Sequence, residues 1–167
     1  MKLHLVFTII LLLIVPIFGQ LYSPKHKITK KFFLMTLAPA NWYRAFFHCR
    51  SLGMNLASIS SREENNQILK QIRDEGHGSK DFWISAMDLL DGNDFFWMGN
   101  GKSVTFADWA PGQPSNSLIR GERESCVHIF NTAKDASSVS KWNDRVCSDK
   151  IFFICEQEIT EYEYCTN

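Results

Sequence analysis

Five cysteines are the residues whose chemistry is most legible in this 167-residue chain. Cys49, Cys126, Cys147 and Cys155 lie within the part that reads as folded, and Cys165 stands near the end. Four cysteines allow three pairings, and spacing alone does not choose among them. A Cys49–Cys155 bridge would close a loop of about 100 residues, worth about 4–5 kcal/mol in the chain-entropy model. Cys126–Cys147 would then brace a loop region for about 3 kcal/mol. Cys165 is left over, and an odd cysteine in a secreted chain points to an intermolecular bridge or an exposed thiol. Catalytic patterns are missing. There is no Gly-x-Ser-x-Gly elbow and no His-Glu-x-x-His helix, Gly76-His77-Gly78-Ser79 lacks a strand–turn–helix setting, and the five histidines have no metal-ligand spacing. The chain reads as a binding protein, not an enzyme.

The reading of the cysteines as disulfides depends on compartment. Residues 1–19 combine Lys2, an apolar run from Leu5 to Phe18 and a small residue at Gly19, the parts of a secretory signal peptide. The run is shorter than the roughly 20 residues needed to span a bilayer, so an extracellular protein with oxidised cysteines is expected. Lys plus Arg and Asp plus Glu both total 18, a net charge of zero. Such a chain has no uniform field to hold nucleic acid. No Asn-x-Ser/Thr sequon occurs.

The elements that must position any site follow from periodicity. Residues 20–30 read as a polar, basic lead-in, and Lys31–Met35 as a first strand. Asn41 is an N-cap for a helix whose Trp42, Ala45, Phe46, Cys49 and Leu52 form an apolar stripe, stopped by Gly53. Leu56–Ile59 is a short apolar connection or strand. Ser61 and Glu64 form a capping box for a second helix, with Ile68, Leu69 and Ile72 inward and Gly76 at its end. Short aromatic runs then alternate with turns: Phe82–Ile84, Phe95–Met98, Ser103–Phe106, Cys126–Phe130 and Ile151–Glu156. Asn100-Gly101 marks a hairpin. Residues 158–167 read as a loose acidic tail carrying the unpaired Cys165. Helices first and strands after define an α+β domain. The stretch from about 108 to 125 shows no strand pattern, and a long ordered loop inside a domain usually binds something.

These features converge on a known family. The matches run in order: Trp42-x-x-Ala45-x-x-x-Cys49, Gly53-Met54-x-Leu56-Ala57-Ser58-Ile59, Glu63-Glu64, Phe82-Trp83-Ile84 and Trp97-Met98. They continue with Trp109-x-Pro111-Gly112-Gln113-Pro114-Ser115, Glu124-x-Cys126-Val127, Trp142-Asn143-Asp144-x-x-Cys147 and Phe153-Ile154-Cys155-Glu156. Over residues 31–157 the chain resembles a short-form C-type lectin domain of the secreted insect type. The resemblance implies the C-type lectin fold: two helices, small antiparallel sheets, a long ligand-binding loop and the disulfides Cys49–Cys155 and Cys126–Cys147.

The resemblance also implies one Ca²⁺ site, completed by two vicinal hydroxyls of a sugar. The matching ligand positions are Gln113, Ser115, Glu124, Asn143 and Asp144, with Pro114 as a cis proline. Calcium takes six to eight oxygens. Mannose-type members carry Glu-Pro-Asn at the tripeptide and galactose-type members Gln-Pro-Asp, whereas this chain has Gln-Pro-Ser. Two carboxylates, Glu124 and Asp144, replace the usual three, which moves the dissociation constant toward about 10⁻⁴–10⁻³ M. Gln113 tips the expectation slightly to galactose-type ligands, although residues 116–121 offer no aromatic ring for the sugar face. His128 and Arg145 are candidates to reach the site and favour acidic or sulfated glycans. An auxiliary calcium site is expected to be absent or very weak, since only Asp88 is kept while Asn116 and Ser125 stand in place of acids. The five tryptophans read as core, not sugar platforms. Glycans or glycoproteins are the expected partners, with a homodimer through Cys165 possible. The competing expectation is a lectin-like module that binds a protein without calcium or sugar.

Overall fold

The computed structural model describes residues 26–89, 94–131 and 140–162. The signal peptide expected at 1–19 and Cys165 lie outside the described residues. Lys30–Gln157 forms one compact unit, treated below. Of the other unit, the two chain ends, residues 26–29 and 158–162 are described, and they are extended.

Nine strands and two helices follow in the order β1 (His26–Ala40), α1 (Trp42–Ser51), β2 (Asn55–Leu56), α2 (Arg62–Asp74), β3 (Phe82–Asp88), β4 (Phe95–Trp97), β5 (Lys102–Ser103), β6 (Leu118–Ile119), β7 (Glu122–Asn131), β8 (Ser140–Val146) and β9 (Ile151–Tyr162). The principal sheet runs β1-β9-β3-β4-β5, and β3 also pairs with β7, which pairs with β8. β3 pairs antiparallel with β4 and β7 and parallel with β9, and the β4–β5 and β7–β8 pairs are antiparallel. The lead-in and tail differ from expectation: β1 begins at His26, and β9 continues through Tyr162 where a loose tail was expected.

The helix signals act locally as the residues dictate. The Asn41 side chain accepts from Arg44 N at 2.9 Å, and Ser61 Oγ accepts from Glu64 N at 3.2 Å. The return half of the expected box is shifted by one residue. Glu64 Oε2 accepts from the Ser60 backbone N–H at 2.7 Å, not from Ser61, because Lys30 Nζ at 3.2 Å draws the carboxylate toward the preceding turn. The hairpin at Asn100-Gly101 joins β4 to β5 with Trp97 opposite Lys102, and only Gly101 takes a positive φ (73°).

β3 is the axis of the core. Every residue of Phe82–Asp88 is buried, including Ser85 and Asp88, as in a strand covered on both faces. Period-two alternation sends Phe82, Ile84 and Ala86 to one core with Ile68, Leu69 and Ile72 of α2. Trp83 and Met87 go to the other, with Trp42, Ala45 and Cys49 of α1. The disulfides are Cys49–Cys155 and Cys126–Cys147. Four tryptophans are buried (Trp42, Trp83, Trp97 and Trp142), and the half-buried Trp109 packs against the first core.

One buried charge cluster ties three elements together. Lys30 Nζ on β1 donates to Ser58 O at 2.7 Å and lies 3.5 Å from Glu156 Oε2 on β9, which also accepts from Ser58 N. Burial raises the Glu156 carboxyl above its ordinary value against the pull of Lys30 and the Ser58 N–H. Removing the cation leaves a buried carboxylate without its counter-charge, so Lys30→Met is expected to cost about 3 kcal/mol at pH 7 in urea unfolding. A raised folded pKa favours the neutral acid inside, so the penalty grows as pH rises. The variant should therefore recover part of its loss at pH 5.

Candidate binding site in the 108–125 loop

The loop is positioned by its grip on Trp142. Trp142 N donates to Asp108 O and Ala110 N donates to Trp142 O, both at 2.9 Å, a short parallel bridge along β8. The indole donates to Asn65 Oδ1 on α2 at 3.0 Å, and Asn65 Nδ2 returns to Asp108 Oδ2 at 2.9 Å. Lys141 Nζ reaches Asp108 Oδ1 at 2.6 Å. Trp97, Phe106 and Trp109 pack edge-on to the same ring at 5.6–5.9 Å. Ala110 is thus pinned to Trp142 on β8, which directly precedes Asn143 and Asp144.

The loop then turns through a cis Gln113-Pro114 bond. Asp144, fully buried, receives Ser115 N on Oδ1 at 3.0 Å and Asn116 N on Oδ2 at 2.6 Å. Ser115 Oγ donates to Glu124 Oε2 at 2.9 Å and lies 2.8 Å from Ser117 Oγ, while Glu124 N donates to Ser117 O. The chain returns by a β6–β7 hairpin within the stretch expected to be loop. Leu118 pairs with Arg123 and Ile119 with Glu122, and Arg120 and Gly121 at the turn both take positive φ (52° and 80°). Such a turn matches the twist of the strands it joins. Arg120 is held there by Asp149 Oδ1 at 2.6 Å.

Ser115, Glu124 and Asp144 are therefore brought into direct contact. Asn143 joins them through its Nδ2, which donates to Asp144 O at 2.5 Å. Gln113 is adjacent in the chain, and its backbone N–H donates to Ala110 O. No hydrogen bond ties its side chain to the other four among the described residues. Gln113 Oε1 and Asn143 Oδ1 are both buried oxygens without a donor. No basic side chain is ion-paired with Glu124 or Asp144 among the described residues. Nor does any group of three His, Cys, Asp or Glu gather there. Two carboxylates, two amide oxygens and a hydroxyl form an oxygen-only set, which suits a hard cation. The missed contributors are Ser117 and the backbone N–H of Asn116, whose only signal was a run of small polar residues after Pro114.

The two expected helpers bring no free positive charge to the loop. His128 is buried, edge-on to Trp83 at 5.7 Å, and its pKa is pushed down to about 3 by burial and by the charge of Arg145, against Asp149. It is neutral and cannot attract an acidic glycan. Arg145 is committed to Asp149 at 2.7 Å and Asp81 at 3.1 Å. Burial would raise Asp149, but hydrogen bonds and charge from Arg145 and Arg120 hold it below its usual value. Asp88 sits 3.8 Å from the Arg123 guanidinium.

A disulfide-braced α+β domain with an oxygen cluster on a long loop defines a binding module. The Lectin C-type domain profile matches residues 38–157, and the chain belongs to the C-type lectin domain family, whose members bind and do not catalyse. It is 31% identical over 131 residues to C-type lectin mosGCTL-7 of Aedes aegypti, covering 77% of this chain and 83% of that protein. It is 34% identical over 120 residues to the alpha-N-acetylgalactosamine-specific lectin of Patiria pectinifera, covering 68% and 66%. The human scavenger receptor C-type lectin carbohydrate-recognition domain superposes with a TM-score of 0.65 at 28% identity, over 83% of this chain and 99% of that one.

The buried neutral imidazole sets a pH dependence. Below about pH 6.5 the unfolded chain takes up a proton that folded His128 refuses, so its contribution falls by about 1.4 kcal/mol per pH unit as pH drops toward 3. Urea unfolding at pH 7 and pH 5 should show this slope in the wild type, and the difference between wild type and His128→Gln should shrink on acidification.

Proposed function

We propose that the protein is a secreted lectin that binds glycans through a single calcium ion held by Gln113, Ser115, Glu124, Asn143 and Asp144, with a slight preference for galactose-type sugars. The observation that carries this reading is the pairing of two carboxylates without a basic partner among the described residues with two buried amide oxygens without a donor there, all on or beside one loop. A bound calcium supplies coordination positions for two neighbouring sugar hydroxyls. The chain's own residues do the rest: Glu124 and Asp144 bring the negative charge, and Gln113 and Ser115 flank the cis bond that orients the tripeptide. With two carboxylates the affinity falls in the range of about 10⁻⁴–10⁻³ M, which extracellular calcium can fill. The Gln-Pro-Ser order and the 34% identity to an alpha-N-acetylgalactosamine-specific lectin support the sugar preference. The absence, among the described residues, of a helix able to span a membrane and the likeness to salivary lectins are consistent with secretion.

One observation favours a second reading. Asp144 already receives two backbone N–H groups, and Ser115 already bonds Glu124 and Ser117, so the loop is closed by its own hydrogen bonds. Such a loop keeps its shape without a cation and could present a protein-binding surface.

Calorimetric titration of the disulfide-intact protein separates the two. Saturable calcium binding in the millimolar range, lost in Glu124→Gln, is expected, followed by retention on immobilised galactose that EDTA reverses. Flat heats at millimolar calcium would remove the sugar reading and turn the search to a protein partner whose binding survives EDTA.

A further inference from the structure

One side chain beside the loop holds a position that the calcium reading does not use. Asn143 and His128 face each other across the β7–β8 pair, and Trp83 on β3 continues the same row. Asn143 Nδ2 contacts two atoms: Asp144 O at 2.5 Å and His128 Nε2 at 3.2 Å. A carbonyl oxygen only accepts, so the group facing Asp144 O must be the NH₂ end of the amide. Both of its hydrogens are then directed, one to Asp144 O and one to His128 Nε2. For that to hold, Nε2 must be the bare nitrogen of a neutral ring, with the proton on Nδ1.

The alternative tautomer would set an N–H against the Asn143 NH₂, donor against donor. Nδ1 has no partner in either case, so the Nδ1 side does not choose the tautomer; Asn143 does. The consequence falls on the other end of the amide. With Nδ2 taken by two acceptors, Asn143 Oδ1 is turned away from both and left buried without a donor.

We infer that His128 is a positioning residue for the cation site: by accepting from Asn143 Nδ2 it fixes the amide so that Oδ1 is presented as a ligand oxygen. This rests on the calcium reading above and adds a residue that touches neither ion nor sugar. Ligand-orienting partners of this kind typically change metal affinity by 10–100-fold.

Calcium titrations of wild type, His128→Phe and His128→Gln test it, with melting curves and disulfide content as folding controls. Phe keeps a ring and loses the acceptor, while Gln loses the ring and keeps an acceptor. Affinity is expected to fall by about 10-fold or more in His128→Phe and to be restored toward wild type in His128→Gln. Wild-type affinity in a folded His128→Phe would overturn the inference alone, as would equal weakening in both variants, which would mark a packing role. Flat heats in the wild type would overturn the calcium reading and this inference with it. Should His128→Phe fail to fold, long-range ¹H–¹⁵N NMR of the wild-type ring decides: the Nδ1–H tautomer with a shift of the Asn143 side-chain amide on adding calcium is expected, and an Nε2–H ring would overturn the assignment.

Discussion

The structure depends on how one indole is held. Trp142 is buried, its N–H is paired with Asn65, and its backbone N–H and carbonyl are both taken by residues 108–110. An unpaired buried N–H would cost about 1–3 kcal/mol, so Asn65 is itself kept buried by the bond it makes. Asn65 lies on α2, Asp108 at the mouth of the loop and Trp142 on β8. The triangle therefore connects helix, loop and sheet at one point. Four of the five candidate ligands hang from its two outgoing chains: Asn143 and Asp144 along β8, and Gln113 and Ser115 along the loop.

The second constraint is electrostatic. Asp144 is fully buried and its oxygens are satisfied by the backbone of Ser115 and Asn116, the way a buried carboxylate must be. That makes Asp144 a structural anchor of the loop as well as a candidate ligand. Glu124 sits at the start of β7, and Cys126–Cys147 ties β7 to the residue after β8, so the strands that present the two carboxylates are covalently joined. The disulfide brings the acids near each other, and backbone donors make their nearness tolerable.

How far this was readable from the sequence depends on what kind of force forms each element. Helix caps at Asn41 and Ser61 and the apolar start of β3 at Phe82–Ile84 are local or hydrophobic effects, and they show in the residues. β8 does not. Its inward positions are Trp142, Asp144 and Val146, and a carboxylate in the middle of the triplet breaks the apolar alternation that would mark a strand. Asp144 is inward because of backbone donors 28 and 29 residues away in sequence. The outer half of β9 fails for a similar reason: Gln157 to Glu161 are exposed and contribute backbone pairing, not burial. The β6–β7 hairpin turns on Arg120, a residue with no intrinsic preference for positive φ, held by an ion pair to Asp149 that only the fold supplies. The candidate positions stand out as a motif; the hydrogen bonds that Ser115, Glu124 and Asp144 already make do not.

Those hydrogen bonds bear on sugar choice. Strand alternation puts Arg145 with Asp81 and Asp149, and burial leaves His128 neutral, so neither contributes a free positive charge to the loop. If the loop reads sugars as proposed, discrimination comes from the direction of hydrogen bonds. A serine hydroxyl is in principle both donor and acceptor, which would blur any preference. Here its proton is committed to Glu124, and the Ser117 hydroxyl can donate to it. What remains on Ser115 Oγ is a lone pair. In hydrogen-bond polarity, though not in charge, the position then behaves like the acid of a Gln-Pro-Asp site. Under the proposed reading, a serine in place of an acid lowers the charge of the site by one while keeping an acceptor in place, which separates two properties: weaker hold on the ion, unchanged sense of recognition.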